Sequence, residues 1–302
     1  MSDNKNILKR WSRSWLPAPI AQAARRMTCR WDYGRQLRVA RDNFREYGYL
    51  YSTPLLFVAG LPKSGTTWLK RMLTSFPGFS EILVPEATLY EMNTGGSHDF
   101  DVPEDLFARL DGALAVLKMH VHGSDHNIRI LKDAGIPYVV LYRDLRDVAI
   151  SHYYYVRRTP WHPGYQKYKL LSFEEGIRCF ADTLLPQFAY WIRTWQENMD
   201  TARSIEVRYE DLVSDTEEVF KRIARLYSLD SSSQVIRRIV EMNRFENLTG
   251  GRKKGMENAD SFFRKGIVGD WISQFPESLK DIFKESIGDF LVETGYEKNL
   301  DW

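Results

Sequence analysis

Cysteine is scarce in this 302-residue chain, which has only Cys29 and Cys179, far apart in sequence. That excludes a disulfide framework and a cysteine-built zinc site, and it points to a reducing compartment. Long apolar runs are missing too, and none approaches the ~20 residues that a membrane span requires. Met1 to Trp15 is polar and basic and lacks the apolar stretch of a signal peptide. A cytoplasmic protein is expected. There is no internal repeat and no low-complexity tract. Net charge is nearly absent, at +2, but it is unevenly spread. Residues 1–50 hold 11 Lys and Arg against 4 Asp and Glu, a net +7, while the remainder carries −5. We read residues 1–50 as a basic N-terminal extension, either a solvated helix and loop or a surface of the kind that meets a membrane, an acidic partner or nucleic acid. Residues 51–302 read as a single domain.

An apolar fraction of 43% and a charged fraction of 27% are those of a globular protein, and the length suffices for a large core. Short β-rich runs alternate with helical patterns, which predicts an α/β fold with a parallel sheet flanked by helices. The candidate strands are Leu55–Ala59, Glu81–Val84, Leu114–Met119, Tyr138–Arg143 and Ile205–Tyr209. Continuous apolarity in Leu55–Ala59 and Tyr138–Leu141 predicts burial on both faces. Helices are expected at Thr66–Phe76, Ile128–Ala134, Asp144–Arg157, Phe173–Met199, Thr216–Tyr227, Ser232–Met242 and near Glu277–Val292. Met92–Pro103, Arg158–Lys169 and Glu246–Arg264 read as irregular, and long loops of this kind often bind or cover ligands.

The strongest local signal is Gly60-Leu61-Pro62-Lys63-Ser64-Gly65-Thr66-Thr67-Trp68, between a buried strand and a helix. Backbone N–H groups and the helix dipole converge there on an anion, Lys63 adds a charge, and Thr66 and Thr67 add hydroxyls. Gly60 and Gly65 have the spacing of a nucleoside-triphosphate loop, but Thr66 stands where its lysine should be. The displaced lysine argues against a kinase or GTPase.

At these residues the chain resembles the family of sulfotransferases that use 3'-phosphoadenosine 5'-phosphosulfate (PAPS). Pro62 to Trp68 looks like that family's P-loop-like phosphosulfate-binding loop. The resemblance implies that Lys63, Ser64, Gly65, Thr66 and Thr67 hold the 5'-phosphosulfate and that Trp68 stacks on adenine. Tyr138–Tyr155 is similar to the 3'-phosphate motif, with Arg143 at a strand end and Ser151 on the following helix. A guanidinium fork and a hydroxyl suit a phosphate. Arg264-Lys265-Gly266-Ile267-Val268-Gly269-Asp270-Trp271 resembles the family's C-terminal R-K-G-x-x-G-D-W element, which adds Arg264, Lys265 and Gly266 to that phosphate. Tyr209 and Phe245 fall where the family makes adenine contacts. We assign Asp144, Arg146 and Asp147 structural roles.

Leu117-Lys118-Met119-His120 resembles the family's K-x-H element. A neutral histidine can take the proton of an attacking hydroxyl, and imidazole titrates near the working pH. Lys63 and Lys118 are suited to stabilise charge on the leaving oxygens. His122 and His126 lie nearby, but no acid or cysteine has metal-ligand spacing, and no metal is expected.

The family's dimerising members carry K-x-x-x-T-V-x-x-x-E just after the tryptophan. Here Ile272 takes the lysine position and Pro276-Glu277 replaces Thr-Val, so that dimer contact is not expected. Rival readings are an atypical nucleotide kinase and a non-catalytic nucleotide-binding protein. For the acceptor, Trp161, Tyr165, Tyr168, Phe188, Trp191 and Trp195 suggest a small, partly hydrophobic alcohol or phenol, and an amine, a saccharide and a lipid headgroup stay open as alternatives. A small molecule is the expected partner and nucleic acid is not. Residues 1–50 keep peripheral membrane contact open.

Overall fold

The computed structural model describes residues 18–96 and 98–302. The five strands are β1 (Leu55–Gly60), β2 (Ser80–Glu81), β3 (Ala115–Met119), β4 (Tyr138–Tyr142) and β5 (Ser204–Arg208). They form one sheet in the order β2-β3-β1-β4-β5, and all pairs are parallel. β1 and β4 are buried at every position, as their unbroken apolarity predicts. Phe57, Ala59, Tyr138 and Val140 face a core roofed by helices Leu145–Val156, Phe173–Thr183, Leu185–Asn198 and Glu277–Glu293. Leu56, Val58, Val139 and Leu141 face a second core with Thr66–Leu73, Thr216–Leu226 and Ser233–Met242. All the expected strands and helices are present, with boundaries that differ by a few residues in most cases.

Three differences have local causes. The stretch Phe173–Met199 is two helices, parted at Leu184, because Pro186 has no N–H to carry the ladder through. The first of them starts at a capping box between Ser172 and Glu175. β2 is short because Leu83 gives its N–H to Gln36 Oε1 (2.9 Å) and Pro85 opens an unexpected helix, Pro85–Thr94. Residues Tyr165–Tyr168 make one helical turn inside the stretch expected to be irregular.

A long helix, Ala18–Tyr47, occupies the described part of the basic stretch. Ala40 is fully buried, and its carbonyl accepts from Leu114 N–H (3.0 Å) at the entry to β3. Asn43 donates to Gly78 O at 2.8 Å, and Arg41 donates to the carbonyls of Arg109 and Asp111 at 3.1 and 3.3 Å. The helix is therefore fastened to the sheet edge by side chains that reach backbone groups.

Candidate active site

The carboxyl ends of β1, β3 and β4 open into a cleft of about 300 Å³, the usual location of ligand sites in open parallel sheets. β1 ends at Gly60, and Leu61 N–H extends the ladder to Leu141 O (2.8 Å) before the chain turns. Lys63 has a left-handed backbone, φ 69°, which costs a non-glycine residue about 1–3 kcal/mol and marks a functional constraint. Gly65 follows at φ 82° and caps helix Thr66–Leu73. A Cβ at Gly65 would sit 2.5 Å from the Tyr209 ring, so only glycine lets the aromatic close over the loop.

Lys63 Nζ lies 3.9 Å from the centre of the Tyr155 ring and 5.0 Å from that of Phe262. Burial pulls the Lys63 ammonium down to about 7, and Arg158, Lys118 and Arg143 push in the same direction. Repulsion of this kind is what an anion would relieve. Ser64 Oγ is fully buried without a partner among the described residues, as is Arg143 Nε. Two orphaned donors beside a positive-φ lysine fit a phosphate-bearing ligand.

β3 delivers Lys118 and His120. His120 Nδ1 is within hydrogen-bonding reach of Gly60 O, and a carbonyl only accepts, so this nitrogen carries the proton. Nε2 keeps its lone pair and accepts from Lys118 Nζ at 3.1 Å. Burial, then the Lys118 charge, holds the imidazole well below its ordinary value, and it is neutral at physiological pH. Lys118 is itself shifted down by burial. Trp191 Nε1 donates to His120 O at 3.0 Å, and Trp195 Nε1 donates to Val121 O at 3.1 Å, so the strand end is pinned from below.

At the other end of the cleft, Arg143 NH2 donates to Asp147 Oδ2 (2.8 Å) and to Ile267 O (2.7 Å), and its guanidinium lies 4.4 Å from the centre of the Tyr209 ring. Asp147 also accepts from Gly269 N–H (2.8 Å) and Trp271 N–H (3.1 Å), which ties the helix carrying Ser151 to the loop carrying Arg264 to Gly266. Arg264 and Lys265 both pair with Asp270. Gly266 has φ 69°, and a Cβ there would meet the Phe245 ring at 2.5 Å. Trp68 donates from Nε1 to Asn243 O (2.8 Å) and meets Tyr209 edge to face at 6.4 Å. Arg146 pairs with Asp144 and Glu297 and stacks on Trp271 and Trp302, a structural clamp on the C-terminus.

One cleft thus gathers Lys63, Gly65, Thr66, Thr67, Trp68, Lys118, His120, Arg143, Ser151, Tyr209, Phe245, Arg264, Lys265 and Gly266, with Ser64 buried beneath them. The acceptor expectations fare less evenly. Trp161 and Phe188 line the cleft, whereas Trp191 and Trp195 are fully buried core residues. Tyr168 packs on His152, and neither it nor Tyr165 is in the lining. His122 turns to Asp101 (3.1 Å) and His126 to Val102 O (2.7 Å), away from His120. The lining also includes Arg25, Glu91, His98, His152 and His162, which the sequence reading missed. His162 bridges Gly95 O and Gly164 N–H at 3.0 Å each, and burial lowers it to about 4, so it is a neutral tie between two loops.

The fold and cleft place a glycine-bounded, lysine-bearing loop after β1 beside a neutral, part-buried histidine just past β3. Residues 53–295 match the family model of the sulfotransferase domain, and the chain belongs to that family. Mouse sulfotransferase 1E1 is 23% identical over 263 residues, 76% of this chain and 81% of that one. Flavonol 4'-sulfotransferase of Flaveria chlorifolia is 25% identical over 262 residues, 80% of each. Among solved structures, mouse sulfotransferase SULT7A1 complexed with PAP has a similar fold at TM-score 0.58 and 18% identity, covering 85% of this chain and 94% of that one. Retinol dehydratase in complex with androsterone and PAP reaches TM-score 0.57 at 20% identity, over 83% and 85% of the two chains.

Proposed function

We propose that the cleft moves the sulfuryl group of PAPS onto the hydroxyl, or in a second arm the amine, of a small and partly hydrophobic acceptor. The observation that carries this reading is one juxtaposition. Lys63, with a left-handed backbone in the loop after β1, lies in the same cleft as His120, whose unprotonated Nε2 faces Lys118. When bound, PAPS supplies an activated sulfuryl group. The S–O bond to its 5'-phosphate breaks as the acceptor oxygen bonds to sulfur.

His120 Nε2 takes the acceptor proton, which requires Lys118 to release that nitrogen and turn its ammonium to the developing negative charge. Lys63 stabilises the leaving oxygen. Ser64 to Thr67 present N–H and hydroxyl groups to the 5' end, and Arg143, Ser151, Arg264, Lys265 and Gly266 hold the 3'-phosphate. Trp68, Tyr209 and Phe245 enclose the adenine. The two lysines supply the charge that a metal would otherwise provide, and the reading calls for no metal and no nucleic-acid partner. Arg264 and Lys265 exchange part of their pairing with Asp270 for the phosphate. The test is a thermal-shift comparison of 3'-phosphoadenosine 5'-phosphate (PAP), ADP and adenosine 5'-phosphosulfate, followed by sulfate transfer to an acceptor library. Equal stabilisation by all three nucleotides would refute the 3'-phosphate assignment.

Trp161, Ala87, Leu184 and Phe188 in the lining support an apolar acceptor body over a saccharide. A lipid headgroup has support from a separate observation. Met27 and Trp31, 76% and 68% exposed on helix Ala18–Tyr47, stand among Arg26, Arg30 and Arg35. Exposed apolar residues among arginines suit peripheral contact with anionic lipid, and co-sedimentation with anionic but not neutral vesicles tests it. We assign the protein to the cytoplasm, in keeping with its two free cysteines. No helix among the described residues is long and apolar enough to cross a membrane.

A further inference from the structure

Helix Ala18–Tyr47 lies outside the residues that match the sulfotransferase domain, yet it contributes Arg25 to the wall of the cleft. The Arg25 guanidinium stacks on Trp161, 4.3 Å from the ring centre. Gln22 Nε2 donates to Trp161 O at 3.3 Å, and Arg26 donates to Asn93 Oδ1 on helix Pro85–Thr94. The N-terminal helix, the loop carrying Trp161 and helix Pro85–Thr94 therefore meet around Arg25.

Arg25 Nε is buried without a hydrogen-bond partner, and Arg25 forms no ion pair among the described residues. A guanidinium does not lose its proton, so a buried donor of this kind is satisfied only by an acceptor atom brought to it. The other arginines in the lining are engaged. Arg143 is held by Asp147, Arg264 by Asp270 and Glu257, and Arg158 by the carbonyls of Ala259 and Ser261. Glu91 is the acid among the lining residues, and its charge acts on Lys63 and Lys118. A singly charged oxyanion suits one free guanidinium in a cleft that already holds a carboxylate, and carboxylate geometry matches the guanidinium fork.

We infer that Arg25 is a specificity-determining residue that pairs with a carboxylate on the acceptor, whose hydroxyl reaches His120 across an apolar body lying along Trp161. The substrate class is a hydroxy acid with an aromatic or aliphatic body. This rests on reading the cleft as a sulfotransferase site.

The test uses the full chain saturated with PAP. Calorimetry measures binding of hydroxyphenylpropionate and of a medium-chain hydroxy acid, each beside its methyl ester. The wild type is expected to bind at least one acid about tenfold or more tighter than its ester. Arg25→Gln should erase that preference, Arg25→Lys should keep part of it, and all three proteins should bind PAP alike. Equal binding of acid and ester to the wild type, no binding of either acid, or a preference that survives Arg25→Gln would overturn the inference. The acid-to-ester ratio in the wild type is a test that no misfolded variant can spoil. An acid preference without sulfate transfer from PAPS would instead leave Arg25 its role and sink the sulfotransferase reading.

Discussion

The two ends of the cleft are built differently. The end proposed for the nucleotide is assembled from contiguous segments: the loop after β1, the start of the helix after β4, and the Arg264–Gly266 loop clipped to that helix by Asp147. Glycines there admit rings at distances that no Cβ would allow. The end proposed for the acceptor is assembled from single side chains on segments far apart in sequence: Arg25, Glu91, His98, Trp161 and Phe188. Conformation specifies the first end and composition the second. His120 and Lys63 stand at the boundary between them, and substitutions there separate the two most sharply.

The largest effect is expected for His120→Ala. Turnover on a hydroxyl acceptor should fall by roughly 10²–10⁴, while PAP affinity stays within about twofold of wild type, since this side chain is proposed to act on the acceptor's proton. Steady-state rates beside a PAP titration check both halves. Wild-type activity in this variant would remove the base from the account. An amine acceptor with its own lone pair should suffer less.

Asp147→Ala tests the nucleotide end as a unit. It leaves the buried Arg143 charge without its carboxylate and two backbone N–H groups without an acceptor. A loss of about 3–5 kcal/mol of stability is expected, with weaker PAP binding and recovery of melting temperature on adding PAP. Chemical denaturation with and without nucleotide measures it. Unchanged stability would mean that the Arg264–Gly266 loop is not held through Asp147.

The difference between the ends also explains what the sequence made legible. Gly60–Trp68, Tyr138–Ser151 and Arg264–Trp271 could be picked out because each is a run of neighbouring residues whose spacing sets its backbone, and the structure brings the three runs to one cleft. Strands β1 and β4 could be read because burial on both faces leaves unbroken apolar runs. The acceptor wall could not be read in the same way. Trp191 and Trp195 have the composition of a pocket, yet they are core residues whose indole N–H groups brace the strand end at His120 and Val121. Arg25 could not be recognised as lining the cleft without knowing that helix Ala18–Tyr47 packs against the loop carrying Trp161.

A smaller effect tests Lys63 through pH. The free protein holds this ammonium near 7, below the ordinary lysine value, and a bound anion raises it again. PAP binding should therefore take up a proton above about pH 7, and affinity should fall as pH rises from there towards the ordinary lysine range, by up to about tenfold per pH unit. Calorimetry in buffers of different ionisation enthalpy reads the proton directly. An affinity that is flat across this window would show that Lys63 does not change protonation when PAP binds. In Lys63→Ala the pH slope should vanish, and both PAP affinity and turnover should drop.

The smallest expectation is no effect at all. Ile272 and Pro276 replace residues of the family's dimer contact, and Ile272 is 66% exposed. Ile272→Asp should leave the sedimentation coefficient at micromolar concentration unchanged, and a shift to a smaller species would reveal a dimer through that segment.

The most direct test of the central claim is transfer of radiolabelled sulfate from PAPS to a panel of phenols, aliphatic alcohols and hydroxy acids, run in a chelating buffer. The wild type should give labelled acceptor with equimolar PAP release, and His120→Ala should label acceptor near background. PAP binding without any labelled acceptor, or labelling that requires a divalent metal, would contradict it.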